Sequence, residues 1–227
     1  MSISRLILAV LYTVASFGVP LFLPAWTLDW PRAWIFLGIT LLASVLTMWT
    51  LSEGHEELLR ERFKGPIQKG QPMSDRIVLL AFVAAFYGLL IFIPLDVFRF
   101  HLLRKPGRVV STLGLVLFVA GWWIMALALR ENAFAAPVVK DQKERHQVVV
   151  DTGVYAIVRH PMYAGFIPLT VGMALWLESY AAALLASVPI LLIAVRIRIE
   201  ERFLRQKLDG YDAYTRRVRY RLLPYIF

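Results

Sequence analysis

Apolar residues fall in five blocks along the chain, and the blocks predict helices that cross a membrane. Ile3–Leu23, Ala33–Leu51, Ile77–Val97 and Val109–Leu129 are each almost free of charge. A bilayer-spanning helix needs ~20 mostly apolar residues, so each block suffices. The fifth block, Tyr163–Val195, is longer and is interrupted by Glu178, Ser179 and Tyr180. It predicts two short helices in a hairpin, with one span plus a buried or re-entrant segment as the alternative. The expected fold is an all-α integral membrane protein with about five to six transmembrane helices, including a C-terminal helical hairpin. The first block has Arg5 near its start, like the n-region of a signal peptide, but its apolar run is long. Pro20–Pro24 also lacks the small residues of a cleavage site, so the block is expected to be a retained span.

The polar stretches divide the rest. Residues 1–130 carry four spans and an interfacial segment at 52–75, and residues 131–227 form a second region of loop, hairpin and tail. Within the first, Ser52–Phe63 predicts an interfacial helix with Glu56 four residues ahead of Arg60. Leu58, Leu59 and Phe63 are expected to lie on the membrane, a solvated connector being the plainer alternative. Gly65, Pro66, Gly70 and Pro72 end it.

Composition agrees with a membrane chain: 59% of the 227 residues are hydrophobic, with a mean hydropathy of +0.61. The net charge of +9 would suggest nucleic acid in a soluble protein. Here the cations flank the spans. With the N-terminus in the cytoplasm, 20 of the 25 Lys and Arg fall inside and five outside. That asymmetry favours cytoplasmic N- and C-termini, although the loop at Arg99–Arg108 carries four of the outer cations. There is no cysteine, which excludes disulfides, thiolate catalysis and cysteine-ligated metals. The four histidines are scattered, and His55-Glu56-Glu57 lacks the second histidine of a zinc helix, so no metal site is expected. No phosphate-binding glycine motif and no stretch long enough for a soluble nucleotide-binding domain is present. A cofactor site would have to be built from spans and short loops. The first four spans are nearly free of ionisable groups at their centres and no repeat is evident, which disfavours a transporter.

The candidate chemistry gathers in the last third. Arg159-His160-Pro161-Met162-Tyr163 stands at the inner edge of the fifth block. Proline keeps His160 out of the helical region and suits the first turn of a helix beginning at Pro161. The N-terminal amides of that helix favour an anion. Arg196-Ile-Arg198-Ile-Glu200-Glu201 leaves the last apolar helix. Adjacent residues on a helix point about 100° apart, so at most one of the two carboxylates faces a site, while Arg198 and Arg202 lie near enough to pair with them. Arginine and tyrosine at span ends are ordinary interface anchors. Carboxylates on a basic inner surface are not, and a hairpin brings its two ends together. A ligand that satisfies both sets carries an anionic and a cationic group. S-adenosylmethionine fits. NADPH fits less well, because two carboxylates repel its phosphates.

These residues resemble those of a known family. Val149-Val150-Asp151-Thr152-Gly153-Val154-Tyr155, Arg159 to Gly165, Glu200-Glu201 and Gly210-Tyr211-x-x-Tyr214 ahead of Val218–Pro224 resemble the membrane isoprenylcysteine carboxyl methyltransferases. The related phospholipid methyltransferases share the Pro-Met-Tyr and Glu-Glu elements. The resemblance spans roughly Asn132–Pro224. It implies S-adenosyl-L-methionine as cofactor, bound at the cytosolic edge by His160, Tyr163, Gly165, Glu200 and Glu201, with Tyr155 and Arg159 nearby. Glu201 is the expected partner of the cofactor's amino group, with Glu200 as the alternative. Tyr211 and Tyr214 are expected to cover the pocket, Asn132 to line it, and Arg196 and Arg198 to orient an anionic acceptor. The implied reaction is methyl transfer to a lipophilic or lipidated acceptor entering from the bilayer, in a bacterial inner membrane. Alternatives are a phospholipid N-methyltransferase, an NADPH-dependent enzyme of the sterol-reductase type, and a non-enzymatic membrane or transport protein.

Overall fold

The computed structural model describes residues 10–51, 56–62 and 64–225. Every regular element among them is helical. Helix α1 is Val10–Ala25, α2 Pro31–Leu51, α4 Met73–Phe100 and α5 Arg108–Glu131. Between α2 and α4 lies a short helix, α3, at Glu56–Arg62. Then come α6 at Pro161–Trp176, α7 at Tyr180–Leu185, α8 at Ser187–Lys207 and α9 at Tyr211–Arg217. Helices α2, α4, α5 and the nearly continuous α7–α8 are long and apolar enough to cross a membrane, and α1 and α6 are shorter. The chain is an all-α integral membrane protein. Of the first predicted span, Ile3–Ala9 lies outside the described residues, as do Ser52–His55 and Phe63 of the predicted interfacial helix.

The fifth block does turn where Glu178, Ser179 and Tyr180 interrupt it. Glu178 takes a left-handed backbone at φ 70°. Ser179 caps α7 by accepting the Ala182 amide proton at 2.9 Å and gives its own hydroxyl to buried Asp96 at 2.6 Å. On this same side Arg32 and Trp176 exchange hydrogen bonds, guanidinium to Trp176 carbonyl at 3.1 Å and indole to Arg32 carbonyl at 2.9 Å. The α7–α8 junction at Ala186 has a local cause: Pro189 has no N–H for the Leu185 carbonyl.

The main seam is α5 against α6. Gly121 and Gly165 meet there, as do Gly114 and Gly172. A methyl group added at Gly165 would stand 2.6 Å from the Gly121 carbonyl oxygen, and one at Gly172 would stand 2.4 Å from that of Gly114. The backbones therefore touch, a packing that small residues permit between membrane helices. Around this seam Phe36, Phe118, Leu90, Ile93 and Met173 form a fully buried core.

Helix α3 differs from expectation. Leu58 is fully buried against Leu51 and Leu129, and does not lie on a lipid surface. The helix is also no solvated connector. Glu61 accepts from Lys140 at 2.5 Å, and Arg62 donates to the Ala135 carbonyl at 3.0 Å. These contacts tie α3 to the loop after α5.

Candidate active site

The Pro161 end of α6 and the Lys207 end of α8 meet as the hairpin requires. His160 stands before α6 with φ −127° and ψ 62°, outside the helical region, and Pro161 opens the helix. The tail after α9 runs beside this corner. The Arg159 and His160 amides donate to the Tyr220 and Arg221 carbonyls at 3.0 and 2.9 Å. The Arg159 guanidinium faces the same tail, with Nη1 donating to the Val218 and Arg219 carbonyls, both at 2.8 Å.

The two adjacent carboxylates part company here. Glu201 is buried and used on both oxygens: Oε1 accepts from Arg159 Nε at 2.7 Å and lies 3.4 Å from His160 Nε2, while Oε2 accepts from Arg221 at 3.1 Å. Glu200 points elsewhere, with its side chain 27% exposed against 6% for Glu201. It accepts from the Tyr163 hydroxyl at 2.8 Å and lies 4.0 Å from His160 Nδ1. Neither pairs with Arg198 or Arg202. The carboxylates are served by other segments.

Glu200 lines a cavity of about 500 Å³, within the size range of small-molecule sites. Its polar end holds Glu200, His160, Tyr163, Tyr155, Tyr211 and Asn132. Its other end is apolar, with Phe82 and Phe86 from α4, Phe118 and Trp122 from α5, and Phe166 from α6. At 1.5 Å per residue, roughly 20 Å of helix separates Met73 from Phe86, and Glu131 from Phe118. One cavity thus runs from the ends of these helices to the level of the membrane interior.

The side wall is the loop that follows α5, and four contacts fix it. Asp75, fully buried at the start of α4, accepts from the Val139 amide at 3.0 Å and from Arg196 Nε at 3.0 Å. Arg196 also donates to the Pro137 carbonyl at 2.6 Å and passes over the Tyr163 ring. Lys140 and Arg62 supply the ties to α3. Asn132 accepts the Phe134 amide proton at 2.9 Å, and its side chain reaches the Tyr155 hydroxyl. Above, Tyr214 donates to the Tyr155 carbonyl at 2.8 Å. Burial pushes the Tyr155 and Tyr211 phenols up and that of Tyr214 to about 12, so all three are neutral donors near pH 7.

Of the residues singled out from sequence, Tyr155, Arg159, His160, Tyr163, Arg196, Glu200, Tyr211 and Tyr214 line this cavity, with Asn132. Gly165 lies in the α5–α6 seam. Arg198 is exposed, off the cavity. Glu201 stands behind the wall. Sequence reading passed over Asp75 and Arg62. The available signal was a carboxylate, Asp75, in the first turn of an apolar helix.

Comparison with known proteins adds the family. The sequence profile described as phospholipid methyltransferase matches residues 96–209, half of the chain. A protein-S-isoprenylcysteine O-methyltransferase of Saccharomyces cerevisiae is 31% identical over 131 residues, covering 56% of this chain and 54% of that protein. Protein-S-isoprenylcysteine O-methyltransferase B of Arabidopsis thaliana is 31% identical over 112 residues, covering 48% of this chain and 57% of its own. Form A of the same plant is 33% identical over 99 residues, covering 43% and 50%. The chain therefore spans about half the length of the curated relatives it matches.

Proposed function

This chain belongs to the phospholipid methyltransferase family, and on that premise we propose that it is an S-adenosyl-L-methionine-dependent membrane methyltransferase acting on a lipophilic carboxylate. The observation that carries the reading is the cavity itself: one continuous space joins a carboxylate-bearing polar end to an aromatic interior at membrane depth.

The donor set fits the cofactor. Glu200 faces the cavity with no guanidinium in ion-pair contact, beside the neutral phenols of Tyr163 and Tyr211 and the imidazole of His160. A wall of this kind takes a cation with a polar head. When bound, S-adenosylmethionine supplies a methyl group on a cationic sulfur that leaves readily. NADPH is the poorer match, because Lys140, Arg159 and Arg196 each already sit against a carboxylate and leave little for a polyphosphate.

The protein's own groups then act by position. Glu200, Tyr163, His160, Tyr155 and Asn132 hold the polar head. Tyr211 and Tyr214, both buried, cover it and keep water out. Holding two reactants in line and dry supplies much of the acceleration such a transfer needs. The aromatic end takes the acceptor's apolar tail. A carboxylate is already an anion at pH 7, so no general base is needed. The relatives' names point the same way, since an O-methyltransferase acting on isoprenylcysteine has a carboxylate oxygen as its nucleophile. An amine acceptor would have to lose a proton, and no group on this wall is set apart as its base. The excess of Lys and Arg at this end of the helices favours the cytoplasmic face, with both termini there.

Calorimetry in detergent tests the cofactor. S-adenosylmethionine and S-adenosylhomocysteine should bind saturably, and Glu200→Gln should weaken S-adenosylmethionine about tenfold or more. Binding of NADPH instead, or of neither, overturns the reading. Methyl transfer to lipophilic acids but not to phosphatidylethanolamine separates the carboxylate from the amine acceptor.

A further inference from the structure

The charges on the cavity wall nearly all have partners. Lys140 lies 2.5 Å from Glu61, Arg159 2.7 Å from Glu201, and Arg196 3.0 Å from Asp75. Two charges are left without an opposite charge in salt-bridge contact. One is Glu200, whose nearest is the His160 imidazole at 4.0 Å. The other is Arg62. Its Nη1 donates to the Ala135 carbonyl at 3.0 Å. Among the described residues no carboxylate lies within ion-pair distance of it.

Arg62 is not a surface cation that water could serve freely. It is partly buried at the end of α3 and lines the cavity close to Tyr155 and Tyr163. Burial disfavours its charged form. A guanidinium does not relieve that by giving up its proton. The remaining way to balance it is an anion brought in by a ligand. A planar, forked donor is suited to a carboxylate.

We propose that Arg62 is the receptor for a carboxylate in this cavity, and specifically for that of the methyl acceptor. Arg196 is held on its Asp75 side and is not required for this. The assignment rests on the methyltransferase reading and deepens it, because it places the acceptor's anion on a residue outside the family-matched stretch 96–209. It also accounts for release. A carboxylate oxygen forms a bond to the methyl carbon as the sulfur–carbon bond breaks, and the bonding pair stays on sulfur. A cation and an anion become a neutral thioether and a neutral ester, with no proton gained or lost. The ester no longer answers the Arg62 charge, so product binds more weakly than substrate.

The test is calorimetry on full-length wild type, Arg62→Gln and Arg62→Lys in detergent. The probes are S-adenosylhomocysteine, an N-acetyl S-prenylcysteine added in its presence, and the methyl ester of that acid. Wild type should bind the acid about tenfold or more tightly than the ester. Arg62→Gln should bind the two alike, Arg62→Lys should recover part of the preference, and ester binding should be the same in all three. A structural role for Arg62 would weaken acid and ester together, which overturns the proposal. Equal acid binding in all three proteins, with S-adenosylhomocysteine unaffected, also overturns it. Weaker S-adenosylhomocysteine binding in Arg62→Gln, with acid binding intact, overturns the assignment to the acceptor and points to the cofactor's own carboxylate instead. Wild type that binds acid in the expected pattern but not S-adenosylhomocysteine sinks the cofactor reading while leaving Arg62 as a carboxylate site.

Discussion

Arg159 and Glu201 form a 2.7 Å ion pair whose side chains are 5% and 6% exposed, and Arg159 simultaneously holds the carbonyls of Val218 and Arg219. The pair joins three segments: the strap before α6, the end of α8 and the tail. Removing one member leaves the other charge buried, which costs ~3–5 kcal/mol. Glu201→Ala should therefore lower the melting temperature in detergent by many degrees. Glu200→Gln, one residue away, should melt close to wild type and lose cofactor affinity instead. Equal thermal effects of the two changes would remove the distinction drawn between the carboxylates.

The Asp75–Arg196 pair has a different job, since it joins α4 to α8 and also holds the Val139 amide. Asp75→Asn keeps the shape but removes the charge from a fully buried site. Arg196 then lacks its counter-ion at the cavity wall. The expected outcome is a loss of ~3 kcal/mol or more in stability, with faster hydrogen exchange at Val138 and Val139. Exchange unchanged at those amides would show that the loop is held without Asp75.

Much of this architecture was legible from local pattern. The hairpin turn was marked by three polar residues inside an apolar block. His160 was kept out of the helix by the proline after it. What was illegible depends on distance or rotation. Asp75 and Arg196 are 121 residues apart, and no periodicity links them. Which of Glu200 and Glu201 faces the cavity is set by the rotation of α8, whose contacts, such as Arg159 with Glu201 and Asp75 with Arg196, come from other segments. Gly165 sits inside the motif that carries the family resemblance, and nothing in the motif marks that it also packs against Gly121. Helix α4 runs from Met73 to Phe100, beyond the apolar block at both ends, because Ser74, Asp75 and Arg76 continue the helix without being apolar.

The glycine seam gives a stability prediction with an internal control. A methyl group at Gly121 would stand 2.4 Å from the Gly165 carbonyl oxygen, and the contact is backbone on both sides. It cannot be relieved by moving a side chain. Gly121→Ala and Gly165→Ala should each cost ~1–3 kcal/mol as α5 and α6 are pushed apart. Gly38 and Gly88 are also helical, but nothing lies within 4 Å of an added methyl. Gly88→Ala should be neutral or stabilising by up to ~1 kcal/mol. Thermal unfolding of the three variants in one detergent decides it, and similar melting points for Gly121→Ala and Gly88→Ala would contradict close contact of the helices.

The roof of the cavity should show itself in alkaline solution. Burial, opposed by Arg159 and aided by Glu201, pushes the Tyr214 phenol from 10.0 to about 12. The folded protein then holds this proton more tightly than the unfolded chain does. The contribution to stability is complete below pH 10 and is lost as pH rises through 10 to 12. Two units correspond to about 2.7 kcal/mol at most. Tyr214→Phe cannot ionise, and it also loses the hydrogen bond to the Tyr155 carbonyl. It should start less stable at pH 8 and fall less steeply between pH 10 and 12, so that the two curves converge. Melting temperatures across that range check this directly. Parallel curves would mean that Tyr214 titrates alike in both states, and that the cover over the polar end is open to water.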